Sequence, residues 1–176
     1  RNTAVGVRSL TTVTIGDDNT AVGYEALKLT TGGDNTALGK DAGKNISSGS
    51  RNLAIGSLAL DAATSENDNI ALGYAALGGS VAGAEKNVVI GNYAGDAITE
   101  GDENTLLGHE AGTTLNTAKY NVAVGYRSLK NTNTGDRNTA VGYLSMEGAA
   151  NNSADQNAAF GGYTLKNVQD GATGNT

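Results

Sequence analysis

The chain has 176 residues, a length that suits one domain, and it carries 26 glycines with no proline, cysteine or tryptophan. Large apolar side chains are too scarce for a thick globular core, and the formal charge of −6 argues against nucleic acid as a partner. No apolar run approaches the roughly 20 residues that a membrane-spanning helix needs, so we expect no membrane insertion by this segment.

An asparagine recurs along the whole chain at intervals of 16 to 19 residues, and a glycine follows each of the first ten asparagines four positions later. These pairs include Asn19 and Gly23, Asn69 and Gly73, Asn121 and Gly125, and Asn138 and Gly142. A period this short and steady predicts a solenoid, in which each repeat forms one coil. The cysteine-free, glycine-rich composition alone would also fit disorder, but the regular spacing of Val, Ile and Leu argues against it.

Each repeat contains an apolar triplet directly after its asparagine. In chain order the triplets read TAV, TAV, TAL, LAI, IAL, VVI, TLL, VAV, TAV and AAF, and such residues favour strands. A second apolar position follows in several repeats, at Val13, Ile46, Ile98, Leu115 and Val168. A cluster of Thr, Ser, Asn, Gly and Asp then indicates a turn. We therefore predict an all-β, parallel β-solenoid over residues 1–176, with about ten coils of about 17 residues and two short strands in each coil.

The repeat asparagines and the repeat glycines, which each form a column along the stacked coils, have a structural explanation. Identical amides stacked one coil apart can hydrogen-bond along the solenoid axis, and asparagine also tolerates the left-handed conformation of a sharp corner. The glycine column indicates positive φ or a close approach of two backbones.

The alternation of side chains along each strand predicts a contact between chains. The first and third residues of each triplet share one face, and the middle residue points to the other face. Both faces are apolar, which is typical of a strand buried on both sides. We therefore predict that a second copy of the chain covers the middle residues, which are mostly alanine. This predicted chain–chain interface comprises Ala21, Ala37, Ala54, Ala71, Ala123 and Ala140.

The repeated motifs "NTAVGYEAL", "NTALGKDAG", "NLAIGSLAL" and "NVAVGYRSL" resemble the head repeats of YadA-type trimeric autotransporter adhesins. They are equally similar to repeats of phage tail fibres and of the trimeric adhesive fibres of predatory bacteria. The resemblance implies a homotrimer of left-handed β-rolls, extracellular, on a bacterial cell surface or in a virion tail fibre. It also implies that the chain is a segment of a longer fibre. Such a segment projects from the surface or contributes to the binding of a receptor on a host or prey cell, and that receptor is a glycan or a protein.

Catalytic chemistry has little support in the sequence. His109 is the only histidine, there is no thiol, and no phosphate-binding loop or HExxH motif is present. We expect no enzyme, no cofactor and no catalytic residue. Aspartates just before several repeat asparagines could line one corner of the stack, namely Asp17, Asp34, Asp102 and Asp136. Ser50 and Lys119 interrupt that column, so we expect no metal site.

The residue after the repeat glycine is often aromatic and is the candidate for surface binding. The candidates are Tyr24, Tyr74, Tyr126, Tyr143 and His109. Exposed aromatic rings can bind sugars or proteins, and Tyr126 and Tyr143 stand in adjacent coils where their rings could stack. The alternative is that these rings pack against a neighbouring rung or chain. Lys40, Ser57 and Asn92 occupy the same place in other coils, so an uninterrupted binding stripe is not expected.

An ice- or crystal-binding solenoid is the alternative function. It requires a continuous threonine column on a flat exposed face. Threonines do recur, at Thr3, Thr20, Thr36, Thr105 and Thr139, but aliphatic residues interrupt them. Because they share the strand face with large aliphatic residues, we expect these threonines to be buried.

Overall fold

The computed structural model describes residues 1–148, 153–167 and 171–176, and over these residues the protein is all-β with no helix. Each repeat contributes one three-residue strand. The strands are β1 (Thr3–Val5), β2 (Thr20–Val22), β3 (Thr36–Leu38), β4 (Leu53–Ile55), β5 (Ile70–Leu72), β6 (Val88–Ile90), β7 (Thr105–Leu107), β8 (Val122–Val124), β9 (Thr139–Val141) and β10 (Ala158–Phe160). They form one sheet in sequence order, and every neighbouring pair is parallel. The chain is therefore a β-solenoid of about nine turns.

Equivalent repeat positions stack directly on one another. Thr3 pairs with Thr20, and the same register continues from coil to coil up to the pairing of Phe160 with Val141. Nine steps at the usual strand spacing of about 4.8 Å give a sheet roughly 43 Å long along the solenoid axis.

The prediction of two strands per coil is wrong within the described residues. Four of the five predicted positions lie outside any strand, namely Val13, Ile46, Ile98 and Leu115. Val168 lies outside the described residues. The reason is the backbone conformation after the repeat glycine. In the second coil Glu25 and Leu27 have φ values of 53° and 46°, so the chain turns repeatedly instead of extending.

The alanine column points into the coil rather than toward a second chain, so the predicted interface is wrong. Five of its six members are 0 % exposed and the sixth, Ala54, is 1 % exposed in the single chain. An inward-facing methyl group fits the narrow interior, where the opposite wall of the same coil supplies the packing partner. The larger first and third residues of each strand therefore face outward.

Core filling follows two complementary patterns within a coil. In several coils a leucine stands eight residues after the asparagine, as Leu27, Leu60 and Leu77 do, and is fully buried. Other coils have glycine there and a larger residue three positions later, as in Gly112 with Leu115. A Cβ atom on Gly112 would lie 2.7 Å from the Leu115 side chain, so the two positions share one space. Exchanging which position is large keeps the core volume nearly constant.

The asparagine column forms a buried ladder, as predicted. The backbone N–H of Asn52 donates to Asn35 Oδ1 at 3.0 Å, and the Asn52 side-chain amide donates to the Glu66 carbonyl at 2.8 Å. The same pair of contacts recurs at Asn121, which bonds to Asn104 and Gly135. Each asparagine thus ties two coils together and also closes the corner of its own coil.

The left-handed conformation expected at the asparagine belongs instead to the residue before it. Asp34, Asp68 and Glu103 have φ values of 60°, 60° and 57°. No repeat asparagine of the described chain has a positive φ. The asparagine is therefore required for its side-chain hydrogen bonds, and the preceding residue makes the corner.

The glycine column meets both predicted requirements. Gly91 has a φ of 141°, and a Cβ atom placed on it would lie 2.2 Å from the carbonyl oxygen of Gly108 in the next coil. The equivalent contact at Gly125 is 2.5 Å, to Gly142. A side chain at this position would enter the backbone of the neighbouring coil.

A single chain already buries an ordinary amount of surface. Its accessible surface is 7404 Å², whereas a folded monomer of 17.7 kDa is expected to expose roughly 7,900 Å². The accessible area alone therefore does not indicate that a single chain needs a partner. Any case for a partner must come from which residues remain exposed.

Candidate functional site

The outward face of the sheet carries an uninterrupted apolar column. It consists of the third residue of every strand, and we call it the outer apolar column: Val5, Val22, Leu38, Ile55, Leu72, Ile90, Leu107, Val124, Val141 and Phe160. None of its members is buried. Beside it runs the column of first residues, where Ile70 and Val122 are also exposed. Ten strands thus present apolar side chains on one side of the solenoid.

Polar residues border this face on the side of the asparagine corner. The residue before each repeat asparagine is usually charged, and neighbouring coils pair these charges. Arg51 binds Asp68 with its Nε and Nη2 atoms at 2.6 and 2.8 Å, and Lys86 lies 3.7 Å from Glu103. The apolar face therefore has a charged rim, the arrangement found in protein–protein interfaces.

An aromatic row borders the same face on its other side. We call it the aromatic row, and its members are Tyr74, Tyr93, His109, Tyr126, Tyr143 and Tyr163. Consecutive ring centroids are 5.3 to 6.2 Å apart. The predicted stacking of Tyr126 on Tyr143 is confirmed, with centroids 5.3 Å apart and an interplanar angle of 12°.

The row is more continuous than the sequence suggested. Asn92 was expected to interrupt it, but Tyr93, one position later, places its ring between Tyr74 and His109. Tyr163 extends the row in the last coil in the same way. The sequence does contain a signal for Tyr93 and Tyr163. In both coils the residue directly after the repeat glycine is small or an amide, and an aromatic residue follows one position later.

Tyr24 does not join the row. Lys40 and Ser57 occupy the next two coils at its position, as the sequence indicated, and no ring contact of Tyr24 occurs in the described part of the chain. Tyr24 is exposed all the same. Of the predicted surface-binding residues, four therefore lie in one row and the fifth lies apart.

The orientation of the rings limits what the row can bind. His109, Tyr126 and Tyr143 lie nearly parallel, at 16° and 12°, so their faces point along the axis at each other. Arg127 also lies over Tyr126, with Cζ 5.1 Å from the centroid. A sugar that stacks on a ring needs a free aromatic face, and these central rings present their edges instead. The packing interpretation fits this central part of the row better than the sugar-platform interpretation.

Charged side chains gather around two glutamates, Glu25 and Glu110, of which only Glu110 adjoins the aromatic row. Glu25 contacts Lys44 at 2.8 Å, Arg8 at 3.0 Å and Lys28 at 3.1 Å, although it is almost fully buried. Hydrogen bonds from Lys44, then Lys28 and Arg8, lower the pKa of Glu25 to about 2. These contacts join three consecutive coils through one carboxylate.

The same arrangement recurs at Glu110. Lys130 and Arg127 bind it at 2.5 and 2.8 Å and lower its pKa, while His109 Nδ1 lies 3.8 Å away. The only histidine is therefore an exposed member of the aromatic row beside a paired carboxylate. No constellation for acid–base or nucleophilic catalysis surrounds it among these contacts.

The aspartates near the asparagine corner act as hydrogen-bond acceptors. Asp102 Oδ1 accepts the backbone N–H of Glu85 at 2.9 Å, and Asp136 Oδ1 accepts that of Lys119 at 2.8 Å. Lys119 also donates to Asp102 Oδ2 at 2.7 Å. Within residues 1–148, 153–167 and 171–176, no three histidine, cysteine or acidic side chains group in a way that could hold a metal ion.

No protein-family model, no curated protein and no solved structure matches the chain. The part of the chain that the structure describes contains no helix long and apolar enough to cross a bilayer. What is established is a β-solenoid with an exposed apolar face, bordered by paired charges on one side and by an aromatic row on the other.

Proposed function

We propose that this chain is a structural and adhesive segment of a homo-oligomeric surface fibre, and that copies associate through the outer apolar column. One observation carries this proposal: the third residue of all ten strands is apolar, and none of these side chains is buried in the single chain. Monomeric proteins rarely leave so long an apolar surface in contact with water.

The dimensions of this face agree with a protein interface. The sheet is roughly 43 Å long, and the strand with its two borders is about 16 Å wide, which gives about 700 Å² per chain. Stable complexes bury about 800 Å² on each partner. The charged rim supplies polar groups at the edge of the contact, where they remain hydrated.

A second copy of the same chain is the occupant we propose. The face repeats with the period of the solenoid, so a partner with the same repeat matches it along its whole length. The resemblance of the motifs to trimeric adhesin heads and tail fibres suggests three copies, a left-handed coil, and an extracellular position on a bacterial surface or virion. In such a fibre the segment projects a tip or contributes to binding a glycan or protein receptor.

The test is the mass of the purified protein in solution, by sedimentation equilibrium. We expect a trimer of the 17.7 kDa chain, about 53 kDa. The variant Leu72→Glu places a charge in the apolar face and should give single chains. Leu29→Glu is the matched control, because Leu29 is 38 % exposed and Leu72 is 40 % exposed, but Leu29 lies outside the strand face.

The outcomes separate the parts of the proposal. A wild-type chain that sediments at 17.7 kDa would overturn it. A dimer that Leu72→Glu dissociates would keep the interface and refute the number three. An oligomer that survives Leu72→Glu but not Leu29→Glu would place the contact on another face.

The ice-binding alternative keeps one supporting observation. The prediction that the strand threonines are buried is wrong, because they lie on the outward face: Thr20, Thr36 and Thr139 are partly exposed, and Thr3 and Thr105 are exposed. Large aliphatic residues still alternate with them, which disfavours an ordered water lattice. Thermal hysteresis of the purified protein would favour this alternative over the fibre.

A further inference from the structure

We propose that Tyr126 and Tyr143 form a site of oxidative cross-linking, at which a one-electron oxidant joins two consecutive coils through a carbon–carbon bond between the rings. The pair occupies the same repeat position in adjacent coils, 17 residues apart in the sequence. This site differs from the outer apolar column and does not depend on association between chains.

The ring geometry favours coupling between these two residues. Their centroids are 5.3 Å apart and their planes differ by only 12°, so the two rings stack face to face. The unpaired electron density on an ortho carbon of a tyrosyl radical lies perpendicular to its ring, so each ring directs that density toward the other. The flanking pairs Tyr74–Tyr93 and Tyr143–Tyr163 are almost as close, at 5.3 and 5.4 Å. Their planes cross at 70° and 72°, however, so one ring presents its edge to the face of the other.

Both rings are accessible to an oxidant. Tyr126 and Tyr143 are 37 % and 49 % exposed, and the stacked column holds them in place. Since the chain has no cysteine, it has no disulfide with which to tie its coils covalently. Tyrosine coupling is the covalent link that the aromatic row makes available.

The chemistry balances with a peroxidase and hydrogen peroxide as the oxidant. Each phenol loses one electron and one proton, which gives two tyrosyl radicals. The radicals form one bond between an ortho carbon of each ring, and the hydrogens on those carbons move to the oxygens as the rings regain aromaticity. Hydrogen peroxide accepts the two electrons and two protons and becomes two molecules of water. The product has lost two hydrogens.

The test treats the folded 176-residue chain at low concentration with a haem peroxidase and hydrogen peroxide. Tryptic digestion and mass spectrometry should then reveal peptide 120–127 joined to peptide 138–166, two hydrogens lighter than their sum, with fragment ions placing the bond at Tyr126 and Tyr143. The cross-linked protein should run as a single chain on a denaturing gel. Its thermal midpoint should rise by roughly 5–10 °C, as expected for a cross-link that closes a loop of this length.

Matched variants decide the assignment. Tyr143→Phe should abolish the joined peptide. Tyr24→Phe should leave its yield unchanged, because Tyr24 is 43 % exposed but has no ring neighbour in the described residues. Circular dichroism verifies that both variants fold. Oxidation of Tyr24 or Tyr120 without the joined peptide would overturn the proposal, and so would a joined peptide that persists in Tyr143→Phe. Since the link lies within one chain, a failure here leaves the proposed fibre interface untouched.

Discussion

The glycine column gives the sharpest test of how the coils stack. We expect Gly91→Ala to destabilise the fold severely, because the new Cβ atom would lie 2.2 Å from the Gly108 carbonyl oxygen and 2.5 Å from its carbonyl carbon. An ordinary carbon–oxygen contact is more than 3 Å, so the two coils must separate by about 1 Å at a point where both sides are backbone. No flexible side chain is available there to move aside.

Two costs combine in this variant. An alanine forced to a φ near 141° costs about 1–3 kcal/mol in backbone strain, and overpacking costs about 1–3 kcal/mol more. We therefore expect Gly91→Ala to lower the free energy of unfolding by about 2–6 kcal/mol. Gly83→Ala is the matched control, because Gly83 has a φ of 113° but nothing lies within 4 Å of its Cβ position. It should show the strain alone, about 1–3 kcal/mol.

Urea unfolding followed by circular dichroism measures both variants against the wild type. The difference between Gly91→Ala and Gly83→Ala isolates the axial contact from the backbone conformation. If the two variants lose the same stability, close stacking is not what requires glycine, and the explanation of the column given above is wrong.

Three further changes test the ladder, the core and the ion pairs. Asn104→Ala should lower the free energy of unfolding in urea by about 2–4 kcal/mol, because the Asn121 N–H and the Ala118 carbonyl lose partners at 3.0 and 2.8 Å. The control Asn131→Ala removes one partly buried hydrogen bond to Gly148 and should cost far less. Thr30→Val should stabilise the protein by about 1 kcal/mol in the same assay, because the buried Thr30 hydroxyl bonds to no described residue. The control Thr31→Val should not stabilise it, since it removes a 3.0 Å hydrogen bond to Ser47. A loss of stability in Thr30→Val would contradict this interpretation. Glu25 has a folded pKa of about 2, below its ordinary 4.5, so its stabilising effect is fully present above about pH 4.5 and is lost as pH falls toward 2. The difference in melting temperature between wild type and Glu25→Gln should therefore shrink over that interval, and a constant difference would refute the assignment. Burial raises the pKa of Asp61 and of Asp96, but both groups titrate in both proteins, so their effects cancel from the difference.

The sequence was sufficient to predict the repeat itself and the way in which the coils stack. The asparagine and glycine spacing predicted the solenoid and the parallel register, because a residue that must stack on its own copy has to recur once per coil. The role of Gly91 could be assigned because only glycine fits where the next coil blocks the Cβ position. The role of Asn104 could be assigned because few other side chains can make the hydrogen bonds of a buried corner.

The direction of the strand faces could not be predicted from the same pattern. Alternation shows which side chains share a face, but it does not show which face is inside when both are apolar. Size was a partial guide. The middle residue is alanine in most coils and points inward, as Ala71 does, whereas Leu72 is 40 % exposed; Leu106 is also a middle residue and is fully buried, so a large side chain at this position does not by itself indicate the outer face. The second strand was mispredicted for a related reason, since the left-handed conformation of Leu27 is not encoded by its residue type.

Placing the alanines inside changes why the chain would associate. If alanine formed the contact, each coil would be unstable without a partner, and folding would require assembly. With alanine inside, the single chain has an ordinary accessible surface of 7404 Å², and the exposed column is a separate property added to a complete fold. Each coil then contributes a similar increment of apolar contact, while the loss of translational and rotational freedom occurs once for the whole chain. Association through such a face strengthens with the number of coils, so a long array binds its copies where a short one would not.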